Sequence, residues 1–350
     1  IMSISLEKIV AVAPSHGASY VHISSGLPVR YRIDGSLEDA NTSVLSPQTC
    51  EDLARKAAGD DYSRIAHIGE LDMAGTYAGT RCRLNLYRSR GNICIALRLL
   101  AEKIPDLDAL GLPPAMLTLP ELRKGLVIVT GETGSGKSTT LASVIDRINH
   151  TRPDHVITLE DPIEYLYKPD KCSIDQREIG SDTESFAEGL RAVLREDPDV
   201  ILVGEMRDRD TIETALTAAE TGHLVFGTLH TKSAADSVDR LVGMFPADRQ
   251  QQIRMQLSMT LELVASQQLL LRREGHGRVC ACEVMVVNPA IRNLIREGKT
   301  PMIENTLSTT RELGSITMDN ELIKMVHDRT ITSQTATGAA HDPTYVRRGI

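Results

Sequence analysis

The rhythm of apolar positions changes near residue 100. Before it, Val21-His22-Ile23 and Val29-Arg30-Tyr31-Arg32-Ile33 alternate with a period of two, punctuated by Gly26-Leu27-Pro28 and Asp34-Gly35, and predict short strands joined as a hairpin. Leu53 to Ala58 predicts a helix, and residues 75–100 alternate again through Cys82, Leu84, Leu86 and Ile93, Ile95, Leu97. Residues 1–100 thus predict a smaller α+β domain. Pro105, Gly111, Pro113, Pro114 and Pro120 then cluster, predicting an interdomain linker over 101–122. Over 123–330 the pattern becomes short β-branched runs without alternation: Leu126 to Thr130, Val156 to Leu159, Val200 to Val203 and Leu224 to Thr228. Such runs suit strands buried on both faces of a parallel sheet with crossover helices, an α/β domain. Residues 331–350 are polar and rich in small side chains, and predict a frayed tail.

Composition agrees with two domains: 350 residues at about 150 per domain. With 3% aromatic residues, no Trp and a net charge of −8, the chain lacks both the stacking platforms and the overall charge for nucleic acid, so no nucleic-acid partner is expected. No apolar stretch reaches membrane-spanning length, and Ile4 to Val12, carrying Glu7 and Lys8, lacks a signal-peptide pattern; a cytoplasmic protein is expected. The six cysteines contain no Cys-x-x-Cys, and reduced thiols follow from that compartment. Cys280 and Cys282 alone cannot complete a tetrahedral metal site.

The chemistry begins at Gly131-Glu132-Thr133-Gly134-Ser135-Gly136-Lys137-Ser138, a G-x-x-x-x-G-K-[ST] pattern between the run Leu126 to Thr130 and a helical pattern from Thr139 to Ile148. Glycines let the backbone curl so that its N–H groups surround phosphates, and the helix aims its positive end at them. Lys137 is expected at the β/γ-phosphates and Ser138 at Mg²⁺, with ATP as the nucleotide. Glu160, Asp161 and Glu164 follow the next strand, where parallel strands deliver side chains to a ligand; Glu160 and Asp161 are candidates for Mg²⁺ or its waters. Val200-Ile201-Leu202-Val203-Gly204-Glu205 resembles a Walker B element, with Gly204 where an Asp metal ligand often lies. Glu205 is therefore the expected base that orients or deprotonates the attacking water. His223 and His230 bracket the fourth strand from opposite ends, so His230 is expected to sense the γ-phosphate. His223 is expected to make a structural bond or couple to a neighbouring element.

Arg81, Arg83, Arg88, Arg90 and Arg98 crowd one stretch of the first domain, with Arg81 and Arg83 on one face of a strand. Three readings stand: a solvated face, a nucleic-acid groove, or arginines completing a neighbour's ATP site.

In their order, GETGSGKS, ITLEDPIEY, ILVGEMRD and TAAETGHLVFGTLHT resemble, box for box, the secretion ATPase superfamily of type II secretion and type IV pilus machines. HGASYVHISSGLPVRYRIDG resembles the opening of PilT-like proteins, and PAIRNLIREGK resembles the motif of pilus retraction ATPases. The resemblance implies a PAS-like first domain and a RecA-like P-loop second domain. It further implies a homohexamer whose ATP sites lie between domains and are completed across subunits, with Glu164 and Glu205 in catalysis and Gly131 to Thr139 on ATP. Arg81, Arg83 and Arg98 match the family arginines, and Ala290, Ile291, Arg292, Asn293, Leu294 and Ile295 match the retraction motif. Bottom-up, that last stretch reads as a helix with an apolar core face and with Arg292 and Asn293 solvated. Tyr20 stands where the family usually has Asp.

The implied function is an ATPase motor of pilus retraction and twitching motility. It would sit at the inner face of the cytoplasmic membrane, acting on a platform protein and, through it, on pilin. An assembly or type II secretion ATPase is the alternative, although the chain lacks the extra N-terminal domain and four-cysteine element usual there. A nucleotide-gated adaptor without turnover is a third reading.

Overall fold

A computed structural model describes residues 4–33, 36–100 and 103–350; the expected turn at Asp34-Gly35 lies outside them. The chain divides into two compact units, Ile1–Lys103 with Pro162–Leu166, and Ile104–Asp161 with Tyr167–Ile350.

In the first unit, helix α1 (Leu6–Val12) precedes strands β1 (Ala18–Ile23), β2 (Arg30–Ile33) and β3 (Ser36–Asp39). Helices α2 (Pro47–Ala58) and α3 (Tyr62–Ile68) follow, then β4 (Glu70–Tyr77), β5 (Thr80–Ser89) and β6 (Asn92–Leu99). The strands form one antiparallel sheet in the order β3-β2-β1-β6-β5-β4. The period-two alternation decides which face is covered: Val21, Ile23, Leu84, Leu86, Ile95 and Leu97 bury one side together with Val10, Leu53 and Ile65. Ser46 caps α2 by accepting from the Thr49 N–H at 3.1 Å.

The second unit begins with short α4 (Pro114–Leu117) and then runs β7 (Gly125–Thr130), α5 (Lys137–Thr151), β8 (His155–Glu160), β9 (Ser173–Glu178), α6 (Phe186–Val193) and β10 (Val200–Val203). It continues through α7 (Arg209–Glu220), β11 (Leu224–Leu229), α8 (Ala234–Gly243), α9 (Ala247–Thr260), β12 (Leu261–Leu271) and β13 (Arg278–Val286). The chain ends with α10 (Pro289–Glu297), α11 (Ile303–Thr309), α12 (Met318–His327), α13 (Ser333–Ala339) and α14 (Pro343–Gly349). The sheet order is β13-β12-β7-β11-β10-β8-β9, parallel except for β13. All six residues of β7 and of β11 are buried, because Leu126 and Ile128 face the helices α6 to α11 while Val127 and Val129 face α5.

Two stretches differ from the sequence reading. Residues 104–122 are not a free linker but a strap on the α/β unit. Leu107, Met116 and Leu119 are fully buried against α5, and the polar side of that helix ties the strap down. Ser143 Oγ donates to Pro105 O at 2.7 Å, Arg147 reaches Asp106 and Asp108 at 2.8 Å each, and Arg152 donates to Pro120 O at 2.9 Å and Leu122 O at 2.5 Å. Prolines supply helix first turns here rather than slack. Nor does 331–350 fray: Ala336 and Val346 are fully buried with Met318, Leu322 and Ile331. The polar residues of that segment are caps, with Thr332 accepting from Thr335 N–H and Asp342 from Thr344 and Tyr345 N–H. Asp319 accepts from the His341 and Asp342 N–H groups at 2.7 and 2.9 Å.

All six cysteines are unpaired and buried; burial pushes the Cys50 and Cys82 thiols up to about 11 and Cys280 to about 12. The buried Glu283 of β13 accepts from Ala234 N–H at 2.8 Å and Met318 N–H at 3.2 Å, the first residues of α8 and α12. Burial nevertheless raises its carboxyl.

Candidate active site

The glycine loop leaves the buried end of β7 and feeds α5. Gly131 takes φ +142°, and a side chain there would lie 2.4 Å from Gln267 O and 2.6 Å from Ser135 Oγ, so only glycine lets the loop lie against β12. Gly136 enters the helix at φ +95°. Lys137 is buried, its Nζ donating to Gly131 O at 2.7 Å and Glu132 O at 3.0 Å, so the loop is wrapped around the ammonium. Ser135 Oγ is buried without a hydrogen-bond partner, while Glu132, Thr133, Gly134 and Ser138 are exposed and Thr139 is half-buried. A cationic, glycine-lined cradle at a 15-residue helix's N-terminus, with an unspent hydroxyl inside it, fits a phosphate chain.

The neighbouring strand ends are laced to this cradle. Thr130 Oγ1, at the end of β7, accepts from Thr231 N–H at 2.8 Å and donates to Thr231 O or Oγ1, and Thr231 Oγ1 meets Ser237 Oγ at 2.6 Å. Ser266 Oγ of β12 donates to Lys232 O at 2.7 Å. His230 is thereby held at the end of β11, next to the phosphate loop. The sequence reading missed Thr130, Thr231, Ser237 and Ser266; a threonine at the end of one strand and another just beyond the end of a second was the available signal, but their pairing depends on strand order.

Glu205 emerges after β10, with only β11 between it and β7, about 10 Å across the sheet. Its Oε1 carries an ion pair with Arg207 Nε and lies 3.2 Å from His230 Nε2. The Glu205 side chain keeps 18% exposure against 68% for Arg207. Burial pushes the Glu205 carboxyl up, but the hydrogen bond and charge of Arg207, aided by His230, outweigh it and hold it below the usual carboxylate value. Gly204 N–H donates to Leu159 O at 2.8 Å, and a Cβ at 204 would lie 2.9 Å from that same oxygen and 3.3 Å from Glu160 Cα. The missing Walker B aspartate is thus a packing consequence: β8 passes too close for a side chain. Gly204→Ala is expected to cost about 1–3 kcal/mol of stability by overpacking, read as a lower urea midpoint; an unchanged midpoint would mean that β8 yields freely.

Glu160 Oε1 accepts from Thr158 Oγ1 at 2.7 Å and Gln176 Nε2 at 3.1 Å, and β8 stands three strands from β7. Asp161 is exposed; Glu164 is half-buried in the Pro162–Leu166 segment that goes with the first unit. Among the described residues no three His, Cys, Asp or Glu side chains gather as a metal cluster, and the Ser138 hydroxyl is exposed at the phosphate loop. His223 sits at the other end of β11, its Nδ1 bonded to Ala218 O at 2.9 Å and 3.2 Å from Thr221 Oγ1.

On the first unit's sheet, Arg83 lies directly opposite Arg98, Arg98 opposite Tyr20, and Tyr20 opposite Arg32, a transverse row of like charges interrupted by one phenol. Arg81 lies opposite Thr76 on the same face of β5 as Arg83. In α10, Ile291 and Ile295 are buried and Leu294 is partly so, in keeping with the apolar face read from spacing. Arg292 differs from expectation: it is clamped, not solvated, donating to Ser258 O at 2.9 Å and to both Glu262 oxygens at 3.1 and 3.2 Å. Asn293 is exposed and donates to Glu297 at 3.1 Å.

A glycine loop after an inner strand of a parallel sheet, with an acid on the second strand over, is the arrangement of P-loop nucleotide-binding proteins. Residues 1–274 match the family of the type II/IV secretion system protein, and the chain belongs to it. It is 42% identical over 340 residues to the type IV pilus retraction ATPase PilT of Pseudomonas aeruginosa, covering 97% of this chain and 98% of that one. It is 46% identical over 315 residues to the uncharacterized protein YggR of Escherichia coli, covering 89% and 95%. A crystal structure of the pilus retraction motor PilT with bound ADP superposes with a TM-score of 0.92 at 44% identity over 99% of both chains. No helix among the described residues is long and apolar enough to cross a membrane.

Proposed function

We propose that the chain is an ATP-hydrolysing motor that withdraws type IV pili and so drives twitching motility. The observation that carries this reading is the whole-length likeness to PilT, which extends through both units and includes the Ala290–Ile295 stretch of α10. The phosphate cradle and the Glu205–His230 pair supply the chemistry such a motor needs. ATP lies along residues 131–139 with Lys137 on its β/γ-phosphates. Ser138 would hold Mg²⁺, with Glu160 and Asp161 as candidates for the ion or its waters, and the ion would supply neutralisation of phosphate charge. Glu205 takes the proton of the attacking water through Oε2, the oxygen not occupied by Arg207 and His230. His230 reads the γ-phosphate, while His223 keeps a structural bond, and Glu164 assists from its own segment.

The motor works as a homohexamer in which Arg81, Arg83 and Arg98 complete a neighbour's site. The like-charge row of Arg83 and Arg98 favours an anion between them. It acts in the cytoplasm, at the inner face of the membrane, on a platform protein and through it on pilin, and it handles no nucleic acid. Counting surface pili by electron microscopy tests the direction of work. Deleting the gene, or substituting Glu205→Gln, is expected to leave abundant pili with lost surface motility. Bald cells would instead indicate an assembly motor.

A further inference from the structure

We propose that Arg207 is a restraint on the hydrolytic base: it occupies Glu205 Oε1 in the resting subunit and must let go before Glu205 reaches full strength. The inference rests on the reading of Glu205 as the base and deepens it with a positioning residue.

The pair is built into the backbone. After β10 the chain runs on through Glu205-Met206-Arg207, with Met206 buried at 3% exposure and its N–H donating to Thr228 O at 3.1 Å. Thr228 Oγ1 in turn donates to Gly204 O at 2.5 Å, so the peptides on both sides of Glu205 are sewn to β11. With Met206 anchored inward, Glu205 and Arg207 stand one on either side of it, and the guanidinium closes on the carboxylate. Asp208 then caps α7, accepting from Thr211 N–H at 2.8 Å, which fixes the chain immediately beyond Arg207.

The two partners of Oε1 are unequal in kind. His230 is on the strand next to the phosphate loop and is tied to it through Thr231 and Thr130, so it stays. Arg207 is the more exposed of the two, its side chain 68% open against 42% for His230, and it leaves without disturbing a core. The charged or titratable groups facing Glu205 are Arg207 and His230. Asp161 at the end of β8 acts on Arg207, and the nearby Glu160 carboxylate is spent on Thr158 and Gln176. Asp161 is thus a second acid to which Arg207 is drawn. With Arg207 released, burial is left as the main influence on the carboxyl, and a base of higher pKa accepts a proton more readily at neutral pH.

The test compares ATP turnover of the parent with Arg207→Ala, Arg207→Gln and Arg207→Lys from pH 5 to 8, with nucleotide binding and thermal denaturation as fold controls. A base with depressed pKa keeps its active, ionised form until pH falls through that low value. The parent's rate should therefore hold through the acid end, while in Arg207→Ala and Arg207→Gln the acid limb moves to higher pH and the rate near pH 8 rises at least about twofold. Arg207→Lys, which keeps the charge, should stay near the parent. Turnover that falls at every pH with no movement of the limb, or that changes in neither respect, overturns the inference. Glu205→Gln, run alongside, separates the two readings. If it hydrolyses as fast as the parent, the base assignment fails and the restraint with it; if it is dead while the Arg207 variants leave the limb in place, only the restraint fails.

Discussion

Lys137→Ala is expected to lose ATP turnover by at least about a hundredfold and to bind nucleotide at least about tenfold more weakly. Two effects add. The ammonium is the buried positive charge of the cradle, 9% exposed, and its removal takes away a charge-assisted contact to the phosphates worth about 1.5–3 kcal/mol, where 1.4 kcal/mol is tenfold in affinity. It also orphans the Gly131 and Glu132 carbonyls, which Lys137 engages at 2.7 and 3.0 Å, so the loop loses the clasp that sets its curl. Calorimetric titration with a non-hydrolysable nucleotide beside a phosphate-release assay separates binding from turnover. Parent-like values in both would remove the glycine loop from the chemistry.

Glu205→Gln is expected to retain nucleotide affinity within about threefold while losing about 10²–10⁴ in turnover, the range for removing a general base. Glutamine keeps the shape and still reaches Arg207 and His230, but its amide cannot take up the proton that Oε2 accepts. Because Glu205 lies two strands from the phosphate loop, its loss should not disturb the cradle. Single-turnover hydrolysis with saturating ATP is the direct measurement. Were parent and variant alike inactive, the chain would be a nucleotide-gated adaptor; were they alike active, the water would be activated by another group, with Glu164 the next acid to substitute.

Much of this site was legible in the residues alone. The glycine loop combines a pattern, a strand before it and a helix after it, each of which reads locally. Four of the five inner strands, β7, β8, β10 and β11, announce themselves because burial on both faces demands unbroken apolar runs. The hairpin of β12 and β13 is not announced in the same way, since its runs mix polar residues whose partners lie in distant helices and loops: Gln267 with Thr140, Ser266 with Lys232, Glu283 with two helix N-termini. The strap and the C-terminal helices misread for a related reason. Proline and small polar residues signal slack when seen alone, yet here they start and cap helices whose few apolar side chains reach a surface supplied by distant segments.

By itself the sequence determined the two-unit division, the parallel α/β class and the glycine loop between its strand and its helix, because these follow from periodicity and from contacts within a few residues of chain. Which acids stand near the phosphate loop was decided only by tertiary structure. Strand order places Glu205 two strands from β7 and Glu160 three, brings His230 to Glu205, and clamps Arg292 onto Glu262. Such neighbours are chosen by the folding of the sheet, not by distance along the chain, and the charge states that follow from them are tertiary properties as well.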